Sequence, residues 1–101
     1  MRKAVWKYTL EVADEQIIEM PIGAEMLTVE TQRGFDADWP TLWALVDVDA
    51  DKSQRKIAMR GTGHHADGLE AARYVGTAQL LGGRLVYHVF DRGDGPLEVT
   101  S

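Results

Sequence analysis

The stretch YVGTAQLLGGRLVYHVFD, residues 74–91, decides the fold. It contains two alternating runs, YVGTAQLL (74–81) and RLVYHVFD (84–91), separated only by Gly82-Gly83. A glycine pair between such runs is a hairpin signal, because both positions accept positive φ without a Cβ penalty. The stretch therefore predicts two antiparallel strands and a two-residue turn. On the second strand Val86, His88 and Phe90 share a face. A single histidine among apolar neighbours is expected to hydrogen-bond a buried loop, with the glycine-containing segment just upstream as the candidate partner.

Working outward, the rest of the chain repeats this pattern. KAVWKYTLEV (3–12) alternates with period two, placing Trp6, Tyr8, Leu10 and Val12 on one face. QIIEMP (16–21) is a short strand stopped by Pro21, which has no N–H for a ladder. MLTVETQR (26–33) groups Leu27, Val29 and Thr31; GFDADWP (34–40) is a loop by composition, with Trp39 its exposed aromatic. TLWALVDVD (41–49) is apolar on both faces at its start and predicts a central strand. ADKSQ (50–54) is a polar turn, RKIAMRGTG (55–63) a fifth strand, ADGLEAAR (66–73) a short helical turn or loop, and RGDGPLEVTS a polar tail. The fold class is all-β: about seven short antiparallel strands in one domain spanning residues 1–101, as a sandwich or a barrel-like roll. Edge strands in so small an all-β protein invite pairing between copies, so a homo-oligomer is expected.

Composition narrows the functional classes. A net charge of −5 argues against a DNA-binding surface, which needs clustered cations. The absence of cysteine removes disulfides and thiolate metal sites. No apolar run has the length of a membrane span, and the polar N-terminus MRKAVWKYTL does not read as a signal peptide.

The chemistry concentrates in GTGHHADG (61–68). A zinc site would draw on His64, His65, Asp67 and His88, but adjacent histidines on extended backbone point apart, and no H-E-x-x-H spacing is present, so no metal is expected. Ser53 and Ser101 lie in a polar turn and a tail, away from any base, and most carboxylates sit in turns such as DVDADK, so no catalytic set is expected. Anion binding fits better. Arg60, Gly61, Thr62, Gly63 and His64 combine a guanidinium, a hydroxyl and glycines that let backbone N–H groups approach a phosphate. The competing structural explanation is a strand end in which the glycines only serve the turn. Lys3 beside Trp6 and Tyr8 offers a cation next to aromatic faces that stack on a base, although such a strand also serves a core.

The series KYTL, MPIGAEMLTV, LWALVD, GTGH, YVGT and GGRLVYHVF resembles a family of small uncharacterised bacteriophage proteins, a domain of unknown function. The resemblance covers nearly the whole chain and rests on Pro21, Trp43, Gly61 to His64, Gly76, Thr77, His88 and Phe90. It implies a phage-encoded accessory protein made in the cytoplasm of the infected bacterium. In general character such a protein is similar to the phage anti-defence sponges that sequester cyclic oligonucleotide immune signals without cleaving them. The expected function is therefore non-catalytic capture of a cyclic nucleotide, without a cofactor, at a site shared between subunits. Arg60, Gly61, Thr62, Gly63 and His64 would hold phosphate, and Lys3, Trp6 and Tyr8 the base. Two alternatives stay open: a phage protein that binds a host macromolecule through a loop or sheet edge, and a nucleotide hydrolase built on His64, His65 and Asp67.

Overall fold

The computed structural model describes residues 2–34 and 38–94. It contains seven strands: β1 (Lys3–Thr9), β2 (Glu15–Pro21), β3 (Glu25–Arg33), β4 (Asp38–Asp47), β5 (Lys52–Gly61), β6 (Arg73–Leu80) and β7 (Leu85–Asp94). They form two antiparallel sheets, a small one in the order β1-β4-β3 and a large one in the order β2-β5-β7-β6. The chain is all-β, and the two sheets enclose the core without closing into a barrel.

The period-two pattern explains which residues meet. Leu42, Ala44 and Val46 of β4 are fully buried, as are Ile57 and Met59 of β5 and Val89 of β7. These inward rows, together with Leu10, Met20, Met26, Val29 and Ala78, form one apolar cluster fed by both sheets. Each Leu, Ile, Val or Met side chain among them contributes about 1.5–3 kcal/mol through loss of water contact.

At one side of the sandwich, β3 of the small sheet lies against β6 of the large one. Gly76 makes this approach possible: a Cβ there would sit 3.2 Å from the backbone nitrogen of Val29. The Thr31 hydroxyl donates to the Gln79 carbonyl across the same seam.

Several details depart from the alternation. Val12 is 52% exposed, because β1 ends at Thr9 and the chain bends away after Leu10. A bulge between Met26 and Thr28 shifts the register of β3, so Met26 and Val29 point into the core and Leu27 is exposed. Asp38, Trp39 and Pro40 belong to β4, not to a loop, and Trp39 is 48% exposed; residues 35–37 of the expected loop lie outside the described residues. Lys52 to Gln54 open β5 instead of forming a turn, because they pair with Pro21 to Glu19 of β2. The connection after Gly61 is a loop of turns with no helix. The hairpin of the last two strands is present, but its link is four residues, 81–84, with a short 3-10 turn; Leu81 joins Gly82 and Gly83 at positive φ. The tail continues β7 as far as Asp94, and residues 95–101 lie outside the described residues.

Arg55 is the charged residue that the alternation directs inward, next to Ile57 and Met59. It is only 4% exposed. Its guanidinium donates to Asp91 Oδ2 and Asp94 Oδ1, both at 2.8 Å, and to the Ala24 carbonyl at 2.8 Å. Asp94 also accepts from the Ser53 hydroxyl and the Gly23 backbone N–H. A buried cation without such partners would be strongly unfavourable, so this network specifies where β5, β7 and the β2–β3 connection meet.

Two outcomes follow from it. Arg55→Leu leaves Asp91 without its partner and is expected to cost about 3–5 kcal/mol in urea unfolding. Arg55, followed by Ser53, holds the Asp94 carboxyl below its ordinary value of 3.8. A depressed folded-state value stabilises the fold above the unfolded value and loses that stabilisation as pH falls through the folded one. Asp94→Asn is therefore expected to flatten the fall in stability below about pH 4, read by chemical unfolding across an acid series.

Candidate functional site

The β5–β7 register, with Gly61 opposite Tyr87 and Arg60 opposite His88, brings the glycine-containing segment beside the start of β7. Where β5 ends, Gly61, Thr62 and His64 form one wall of a cleft of about 220 Å³; Arg84, Leu85, Val86 and Tyr87 form the other. Among the described residues, no carboxylate lines the cleft. In a chain of net charge −5, this concentrates an imidazole, a guanidinium and a hydroxyl at one place.

Local geometry explains why the segment adopts this shape. The Thr62 N–H donates to the Val86 carbonyl, and the His64 N–H donates back to the Gly61 carbonyl, closing a turn. The imidazole of His64 then folds over Gly61: a Cβ at residue 61 would lie 2.9 Å from His64 Cε1. A side chain at residue 61 would have to displace the exposed His64 ring, so glycine there lets the imidazole rest against the strand end. Because the N–H groups of Thr62 and His64 are already paired, an anion in the cleft would meet side chains more than a cradle of free backbone donors.

Beside the cleft a hydrogen-bonded chain links the loop after β5 to β7 and β6. Thr62 Oγ1 is 2.7 Å from His88 Nε2, and His88 Nδ1 is 3.0 Å from Thr77 Oγ1. Thr77 is in turn hydrogen-bonded to the Tyr74 hydroxyl, and the Tyr74 ring meets Phe90 edge-on at 5.6 Å. The loop partner expected for His88 is thus Thr62. Unlike a core histidine, His88 lies on the outer face of the large sheet, half-buried. Its two ring nitrogens are held by hydroxyls, which can donate or accept, so the arrangement fixes the position of the Thr62 side chain at the cleft.

The other residues singled out from the sequence are placed differently. Arg60 is turned to the loop and the β2 entrance. Its guanidinium donates to the Asp14 carbonyl at 2.6 Å, the His65 carbonyl at 3.1 Å and Glu15 Oε2 at 2.8 Å. It fastens the loop and does not line the cleft. Gly63 occupies a turn at φ +87° behind the lining residues, and His65 and Asp67 are exposed. Lys3, Trp6 and Tyr8 belong to β1 in the small sheet, none of them in the cleft. Lys3 is exposed, whereas Trp6 and Tyr8 pack against the core. The Tyr8 hydroxyl is buried with no partner among the described residues, and burial pushes its phenol above the ordinary 10.0. Among the described residues no group of three His, Asp or Glu side chains is placed to hold a metal ion. No described helix is long and apolar enough to cross a membrane.

Arg84 was not anticipated. The glycine turn hides it, and only the β5–β7 pairing shows that residues 84–87 face residues 61–64. It makes no ion pair among the described residues. His88→Phe leaves the exposed Thr62 hydroxyl without its partner and Thr77 with Tyr74 alone. The expected cost is about 0.5–1.5 kcal/mol by urea unfolding, with a larger loss of order at residues 61–64 than at the core strands by amide exchange.

No curated protein and no solved structure matches the chain. A family model, that of the domain of unknown function DUF7352, matches residues 1–98, and the chain belongs to that family.

Proposed function

We propose that the protein is a non-catalytic binding protein whose cleft captures a phosphate-bearing small ligand, and that the ligand is a cyclic nucleotide immune signal. In this reading it is a phage accessory protein acting in the cytoplasm of the infected host, by stoichiometric sequestration. The observation that carries the reading is the meeting of Thr62, His64 and Arg84 from two elements in a cleft that no acid among the described residues lines. Arg84 supplies charge-assisted hydrogen bonds to phosphate, Thr62 and His64 supply further polar contacts, and Tyr87 offers aromatic surface to a base.

The cleft of about 220 Å³ is smaller than the roughly 300–1,000 Å³ of a site that encloses a drug-sized molecule. It suits one phosphate and its neighbouring nucleoside, with the rest of a cyclic oligonucleotide lying outside it. Arg60 supports the site indirectly, through the His65 carbonyl.

A second reading, binding of a host macromolecule, is favoured by Trp39, 48% exposed at the start of β4, and by the outer edges of β1 and β2. Hydrolysis remains the reading in which His64, His65 and Asp67 act together.

Incubation with a panel of cyclic di- and trinucleotides, followed by gel filtration and recovery after heat denaturation, separates the three. Sequestration predicts retention of one ligand and its intact recovery. Turnover would indicate a hydrolase; no retention together with co-purification of one host protein would favour the second reading. Loss of a charge-assisted contact is worth about 1.5–3 kcal/mol, so Arg84→Ala is expected to weaken retention roughly ten- to a hundredfold with the fold unchanged. Arg60→Ala is expected to lower stability as well as affinity, because it releases the loop and Glu15.

A further inference from the structure

The two sheets differ in what covers their outer faces. On the large sheet, Ala58 lies in the outward row with Phe90 and Arg60, yet it is fully buried. Leu69 in the 62–72 loop is also buried, although it is not part of the core cluster between the sheets. Arg60 holds this loop at His65, and Arg92 of β7 shares a hollow with Gly68, Ala71 and Ala72. The chain's own loop therefore covers part of the large sheet, around Ala58, while Tyr74 at the end of the same row is 54% exposed.

Among the described residues, the outer face of the small sheet has no such cover. Its rows run Val5–Leu45–Glu25 and Lys7–Trp43–Thr28 across β1, β4 and β3. Val5 is 56% exposed, and Trp43 and Leu45 are half-buried, so an apolar strip runs along the middle. The charges differ from edge to edge. The β1 edge carries Lys3 and Lys7, and the β3 edge carries Glu25 and Glu30, all exposed; Asp47 of β4 stands opposite Lys3, and the Lys7 ammonium donates to the Gln32 side chain of β3 at 3.2 Å.

We propose that this face is the interface of a symmetric dimer, with a second copy of the chain packed sheet on sheet. Charge selects the symmetry axis. A two-fold axis along β4 lays the lysine edge of each copy over the glutamate edge of the other. An axis across the strands would lay lysine over lysine. Aligned sheets pack about 10 Å apart with strands within about 30° of each other, which brings Val5, Trp43 and Leu45 of the two copies together. An isologous interface of this kind is self-complementary by construction. It lies on the opposite sheet from the cleft, so dimerisation and ligand capture are independent.

Charge reversal tests the arrangement. Sedimentation equilibrium is expected to show a reversible dimer for the unaltered chain. Lys3→Glu/Lys7→Glu and Glu25→Lys/Glu30→Lys are each expected to weaken self-association at least tenfold. An equimolar mixture of the two variants is expected to restore it as a heterodimer, because each edge of one variant then lies over an edge of opposite sign in the other. A monomer at all concentrations overturns the proposal. So does a dimer that both variants form as well as the unaltered chain, or a mixture that fails to recover. Nucleotide retention by the variants is expected to be unchanged, so failure here leaves the cleft assignment untouched.

Discussion

The buried guanidinium of Arg55 is the constraint on which the arrangement of strands depends. The core is otherwise apolar and non-directional, and rows of Leu, Val, Ile and Met would tolerate small slips between sheets. Arg55 does not tolerate them. Its donors are satisfied by Asp91 and Asp94 from β7 and by the Ala24 carbonyl at the point where the chain passes from the large sheet to the small one. A shift of one residue in β5 would turn Arg55 to solvent and leave a side chain of the wrong kind facing two carboxylates. The network fixes the β5–β7 register, and that register places Gly61 opposite Tyr87 and Thr62 beside Val86.

The cleft is thus a consequence of strand registration, and its precision comes from short polar links. His88 ties Thr62 on one side to Thr77 on the other, while Arg60 secures the loop at His65. Loop residues that would otherwise sample many conformations are held at these two points, which lowers the ordering cost of any ligand they meet. Arg84 arrives from the hairpin, on a separate element. The site therefore needs both the loop closure and the hairpin to be correct before its cationic and polar groups converge.

Most of the strand framework could be read from the sequence because alternation and turn residues are local signals. The Gly82-Gly83 link, the apolar row Leu42, Ala44, Val46 and the stop at Pro21 all carry their own explanation within a few residues. The errors arise where one strand answers to another. Leu27 reads as inward until the bulge opposite Trp43 shifts it out, and Lys52 to Gln54 read as a turn until their pairing with β2 is known. Arg60 looked like an anion ligand because it adjoins the glycines; its partners, Asp14 and Glu15, are distant in sequence. Trp6 and Tyr8 have the composition of a base platform but the alternation of a core row, and the core claims them. The signal for Arg55 was present, since it shares a period-two row with Ile57 and Met59. Arg84 had none, because strand pairing between β5 and β7 is long-range.

The central claim is that residues 61–64 and 84–87 form one ligand site. A titration of isotopically labelled protein with the cyclic di- and trinucleotide panel, followed by amide chemical shifts, addresses it directly. The account predicts saturable shifts for one ligand, largest at Thr62, His64 and Arg84 to Tyr87 and small along β1. Saturable shifts centred on β1, on Trp39 or elsewhere, or no saturable shifts with any ligand, would contradict it.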